Sequence, residues 1–137
     1  MTTETKNREK LVANKALCLH CDEVVESKHR HDYVMCSCRS IGVDGGTDYI
    51  RRIGDPSDYI DMCVYGNTHE VYRENLRWGK NYDKDMNMLP ETEWMLIKDM
   101  TTDHIEAILE GGYANGNDFY VELFNNELNF RKNEKLH

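Results

Sequence analysis

The sequence predicts an α+β chain in which a small antiparallel β module is followed by a strand segment and a C-terminal pair of helices. Three observations carry that prediction. Four of the five cysteines fall within the first 38 of 137 residues, as Cys18-Leu19-His20-Cys21 and Cys36-Ser37-Cys38. Short segments rich in β-forming residues crowd between Leu11 and Ile53. Helical periodicity with start and stop signals enters only after Thr101.

The cysteine pairs are separated by 14 residues, close to the zinc-ribbon pattern, in which two cysteine clusters meet at neighbouring hairpin tips. A Cys-x-x-Cys turn converges two thiolates on a cation, and residues i and i+2 of an extended segment project to one face, so Cys36 and Cys38 can join them. Four thiolates would close a tetrahedral shell around Zn²⁺, the structural arrangement, with no position left for water or substrate. The expected metal ligands are therefore Cys18, Cys21, Cys36 and Cys38. The second cluster has one intervening residue where ribbons commonly have two, and Arg39 stands where a glycine often eases the turn. His20, His29 or His31 could replace one thiolate. A redox Cys-x-x-Cys would need a βαβ context that the flanks do not show. Two disulfides would need an oxidising compartment, and the polar start Met1-Thr-Thr-Glu-Thr-Lys6 does not read as a secretory signal. Cys63, alone, reads as a small buried apolar residue.

Residues 1–10 are polar and aperiodic and read as a mobile tail. Residues 11–54 form the zinc-ribbon-like module, with strands expected at Leu11–Leu17, Glu23–Glu26, Tyr33–Cys36, Ser40–Val43 and Asp48–Ile53. Asp44-Gly45-Gly46 is a tight-turn signal, because the glycines supply positive φ. Residues 55–137 form an acidic α+β part packed on the module. Asp55-Pro56-Ser57-Asp58 reads as the start of a short helix towards Val64. The stretch His69–Trp78 alternates well enough for a strand, although Val71, Asn75 and Trp78 also approach helical spacing. Gly79–Pro90 has few apolar anchors and reads as a loop; Glu93–Lys98 reads as a strand. Thr101 or Thr102 caps a helix through Ile105, Ile108 and Leu109 that stops at Gly111-Gly112. A second helix begins at Asp118, with Phe119, Val121, Leu123, Phe124, Leu128 and Phe130 inward and Glu122, Glu127, Arg131 and Lys132 towards water.

Charge is uneven. Residues 1–54 carry nine Lys or Arg against eight Asp or Glu, and residues 55–137 carry eight against seventeen, within a net charge of -8. Most of such a surface would repel a nucleic-acid backbone. No apolar run is long enough to span a bilayer. A phosphate-binding glycine loop, His-Glu-x-x-His and Gly-x-Ser-x-Gly are all absent, so the chain reads as a binder rather than an enzyme.

The stretch Leu17–Gly54, with its two cysteine pairs and Val43-Asp-Gly-Gly-Thr-Asp-Tyr-Ile-Arg-Arg52, resembles a small uncharacterised domain family of tailed bacteriophages and some bacteria. The segments around Trp78-Gly79, Lys98–Leu109 and Glu127–Arg131 are similar to another recurrent phage pattern of unknown activity. The resemblance implies a phage gene product acting in the bacterial cytoplasm; together with the acidic charge and the absent catalytic motifs it points to an accessory protein that binds a host protein and inhibits or redirects it, with counter-defence as the role that the family setting implies. His29, Arg30, His31, Asp32, Asp44, Tyr49, Arg51 and Arg52 gather imidazoles, carboxylates and guanidinium groups on neighbouring segments, a candidate binding site for a second cation or an anion. On Arg30, Arg39, Arg51 and Arg52 rests the alternative of a nucleotide or nucleic-acid binder, since these side chains could neutralise phosphates locally; a metal-dependent hydrolase using His29 or His31 is a third reading. Oligomeric state is not encoded in any feature of the sequence.

Overall fold

Alternation along the second half of β1 (Lys10–Cys18) organises the first part of the molecule: Asn14, Ala16 and Cys18 are buried, while Lys15 and Leu17 between them are partly exposed. The computed structural model describes residues 9–135, in two compact units divided between Asn67 and Thr68. The tail expected over residues 1–10 lies outside the described residues as far as residue 8, and Lys10 already belongs to β1.

In the first unit β1 pairs antiparallel with β2 (Val24–Ser27) and β6 (Tyr59–Asp61) along its C-terminal half. Its N-terminal half pairs with β7 (Val64–Gly66), with a register shift between Leu11 and Ala13. A second sheet has the order β3 (Val34–Met35), β4 (Gly42–Asp44), β5 (Arg51–Ile53). Ala16, Cys18, Val25, Cys36, Ile41 and Val43 form one buried cluster, so two of the expected metal ligands are also core residues. The turn after β4 uses positive φ at Gly45 (112°) and Gly46 (55°). The amides of Asp48 and Tyr49 both donate to the Gly45 carbonyl, which shortens the strand expected over Asp48–Ile53.

Asp55 does cap a turn, its carboxylate accepting from the Ser57 amide, but only one 3-10 turn, Pro56–Asp58, follows. The expected helix towards Val64 is replaced by β6 and β7, because Tyr59, Ile60 and Val64 find partners on β1 and pairing outweighs the local start signal. The first unit thus runs beyond Gly54.

The second unit opens with α1 (His69–Asn75), capped by the Thr68 hydroxyl, which accepts from the Val71 amide. This corrects the strand expected over His69–Trp78: the cap and the helical spacing win up to Asn75, and only then does β8 (Arg77–Tyr82) begin. The loop expected over Gly79–Pro90 is a second correction. β8 and β9 (Met88–Leu96) form an antiparallel hairpin whose turn, 83–87, is held by Asp83 Oδ1 accepting from the Asp85 and Asn87 amides at 2.9 Å each. After a 3-10 turn, Ile97–Asp99, come α2 (Thr102–Gly111) and α3 (Asp118–Lys135). Thr101 is the N-cap of α2, and Gly112, at φ 73°, ends it. Leu76, Ile97, Met100, Ile105, Ile108, Leu123 and Phe124 are buried, with Trp78 edge-on to Phe124 at 5.2 Å. No helix of the described residues is long and apolar enough to cross a membrane.

Candidate metal centre

Two tight turns bring the four cysteines together. In the first, at the end of β1, the Asp22 amide donates to the Cys18 carbonyl and the Cys18 amide to that of Glu23, with Asp22 at φ 60°. The His20 amide faces Cys18 Sγ at 3.4 Å. In the second, the Arg39 amide donates to the Cys36 carbonyl at 3.0 Å and the Cys36 amide to that of Ile41. Arg39 adopts φ 64°, the left-handed conformation that the glycine common at this place in zinc ribbons takes without strain. The Glu23 carboxylate ties one turn to the other by accepting from the Ser37 amide at 2.6 Å.

The outcome is a cluster of one sulfur each from Cys18, Cys21, Cys36 and Cys38, all within 4.8 Å of one another. Cys38 Sγ lies 3.6 Å from both Cys18 Sγ and Cys36 Sγ. All five cysteines are free thiols, so neither disulfide alternative is realised. Cys18 and Cys36 are buried, Cys21 is intermediate and Cys38 is exposed. Burial pushes the Cys18 thiol up to about 11, against the backbone amides of Cys21 and His20. Ser40, through its side chain 3.2 Å away and its backbone, brings the Cys38 thiol down to about 6. A cation among the sulfurs would favour the thiolate at all four and offset the desolvation that Cys18 suffers as an anion.

The histidines point elsewhere. His20 Nε2 pairs with Asp58 Oδ1 at 2.7 Å, and that hydrogen bond raises the imidazole above its ordinary value. His31 Nδ1 meets the Tyr49 hydroxyl at 3.0 Å. His29 Nδ1 lies 3.1 Å from the Arg30 carbonyl, with Nε2 3.8 Å from Asp32 Oδ1. Arg30 is 3.9 Å from Asp48, and Arg51 is 3.8 Å from Asp44, whose buried Oδ1 has no hydrogen-bond partner among the described residues. His29, Arg30, His31, Asp32, Asp44, Tyr49 and Arg51 thus form separate pairs, and no other three-ligand cluster of His, Cys, Asp or Glu occurs among the described residues. Arg52 turns inward: it donates to Asn14 Oδ1 at 2.7 Å, to Asp61 Oδ1 at 3.1 Å and to the Lys15 carbonyl at 3.3 Å. Cys63 was expected as a buried apolar residue; it is half-buried, with Sγ 3.0 Å from Arg52 Nη2. Burial pushes its thiol up.

Two features escaped the sequence reading. Ser37-to-Glu23 pairing across the turns has no sequence signal. Glu127, expected towards water, is fully buried and bonded to His69, Arg73 and Arg131; its spacing from Leu123 and Phe124 on one helical face was the available signal.

Residues 10–54, which include all four clustered cysteines, match a family model described as a domain of unknown function (DUF7695). No curated protein matches the chain, and no solved structure does.

Proposed function

We propose that the first unit is a zinc-stapled binding module through which a phage protein engages a host protein in the bacterial cytoplasm and inhibits or redirects it, in counter-defence. The observation that carries the binding reading is the closed set of four sulfurs, which leaves a bound metal no position for substrate. Zinc suits the geometry. With Zn–S at about 2.3 Å, a tetrahedron puts neighbouring sulfurs about 3.8 Å apart, against separations of 3.6 Å here for two pairs and at most 4.8 Å for the rest. Iron accepts the same ligands, so elemental analysis decides between them.

A protein partner is supported by the outer face of the main sheet. Leu17 lies directly between Val24 and Ile60 across β2, β1 and β6, and Val24 and Ile60 are 49% and 48% exposed. Leu19 beside the first cysteine turn, and Met62 two residues beyond Ile60, are exposed as well. Such an apolar row on a small unit suits burial against another protein. The phage setting, the host cytoplasm and the counter-defence role rest on the resemblance of Leu17–Gly54 alone. The test is capture from host lysate with the intact zinc-loaded chain beside a Val24→Glu, Ile60→Glu variant. A stoichiometric host protein held by the first and lost by the second is expected. Absence of any partner, or equal capture by both, overturns the proposal.

A further inference from the structure

The second unit carries a concavity of about 310 Å³ between the β8–β9 hairpin and the start of α3. It is small for a ligand pocket, which typically spans roughly 300–1,000 Å³, and so suits one ring rather than an extended molecule. Its position follows from a glycine. Gly79 pairs with Trp94 across the hairpin, and a side chain at Gly79 would press on the Trp94 indole at 2.9 Å and on the Thr92 methyl at 3.0 Å. Without one, the indole lies against the strand backbone and remains 39% exposed. Tyr120 and Arg77 also line the concavity.

The polar lining consists mainly of neutral groups. Asn81 accepts from the Thr92 hydroxyl at 2.6 Å through Oδ1, and Asn117 accepts from the Tyr120 amide at 3.2 Å through Oδ1. Both residues keep their amide NH2 groups as donors and a second lone pair on each oxygen, and Thr92 keeps its acceptor capacity. Arg77 is the single charged side chain in the lining. The surrounding unit, Thr68–His137, holds fourteen Asp or Glu against eight Lys or Arg, which disfavours phosphate-bearing ligands. A wholly apolar ring would cover the indole but strip water from the amides without replacing their hydrogen bonds. The ligand that satisfies both has an apolar face for the indole and hydroxyl groups around its edge.

We infer that this concavity binds a neutral sugar ring, stacked on Trp94 and hydrogen-bonded at its edge by Asn81, Asn117 and Thr92. The site lies in the second unit, so it stands or falls independently of the metal and of the protein partner. The full chain is titrated with glucose and with N-acetylglucosamine, and separately with adenosine, following tryptophan fluorescence and the indole N–H resonances. A saturable change is expected at millimolar concentrations for at least one sugar. Trp94→Ala abolishes it, and Asn81→Ala, with an unchanged circular dichroism spectrum, weakens it by about tenfold, the value of one hydrogen bond to an otherwise stranded group. If Trp94→Ala fails to fold, Asn81→Ala carries the test. Absence of a saturable change with both sugars, adenosine binding as tightly as either, or affinity undiminished in Asn81→Ala overturns the inference.

Discussion

Replacing Glu127 by Gln removes a charge from the centre of the second unit while keeping the shape of the side chain. The carboxylate is fully buried and takes four hydrogen bonds: Arg73 Nε at 2.9 Å, Arg73 Nη2 at 3.0 Å, Arg131 Nε at 2.7 Å and His69 Nε2 at 2.8 Å. Removing one member of a buried ion pair costs about 3–5 kcal/mol, chiefly because the other is left uncompensated. Here two guanidinium groups would lose their counter-charge. The side chains of Arg73, Arg131 and His69 are each 19% exposed, so water relieves part of the penalty and the lower end, about 3 kcal/mol, is expected. A unit of this length has a stability of roughly 0.05–0.15 kcal/mol per residue, so the substitution removes a large fraction of it. Both tryptophans of the chain, Trp78 and Trp94, belong to this unit, so urea unfolding followed by tryptophan fluorescence reads the right transition. A loss below about 1 kcal/mol, the value of a single ordinary hydrogen bond, would refute the claim that this carboxylate organises the unit.

The same residue sets an acid limit. Burial alone would raise the Glu127 carboxyl, but hydrogen bonds from Arg73, Arg131 and His69 outweigh it and hold it below the ordinary value. Its stabilisation is therefore full above the unfolded value of about 4.3 and is lost as pH falls through the lower folded value, which fluorescence-monitored melting against pH should show for the wild type and not for Glu127→Gln. Cys21→Ser or Cys36→Ser should abolish bound zinc by elemental analysis, and Cys63→Ser should leave it unchanged, since Cys63 is outside the four-sulfur cluster. Strong chelation should unfold the strands of the first unit, seen as lost amide dispersion, while tryptophan emission from the second unit persists.

The four-sulfur cluster was legible because metal ligation imposes spacing: thiolates must arrive in pairs from tight turns, and a turn leaves its mark within a few residues. The capped helix from Thr102 and the glycine turn at Gly45-Gly46 were legible for the same local reason. What failed depended on partners far along the chain. Tyr59–Asp61 and Val64–Gly66 are strands only because β1 leaves the edge opposite β2 open along its length, and Gly79–Pro90 is a hairpin because Gly79 makes room for Trp94, fifteen residues on. Glu127 was misplaced by its charge, although its helical position puts it beside Leu123 and Phe124; nothing local states that Arg73, more than fifty residues earlier, will meet it there.

Arg39 tests how far the cysteine turn tolerates departure from the glycine expected of it. An L-residue in the left-handed region costs about 1–2 kcal/mol, and glycine relieves that strain while adding about 0.5–1 kcal/mol of unfolded-state entropy. The Arg39 amide already donates to the Cys36 carbonyl at 3.0 Å, and no side-chain interaction of Arg39 among the described residues offsets the strain. Arg39→Gly should therefore stabilise the zinc-loaded first unit by up to about 1 kcal/mol, read as slower zinc transfer to a competing chelator and a higher denaturation midpoint by amide dispersion. Destabilisation by a similar amount would mean that the guanidinium contributes to the turn in a way the backbone geometry does not account for.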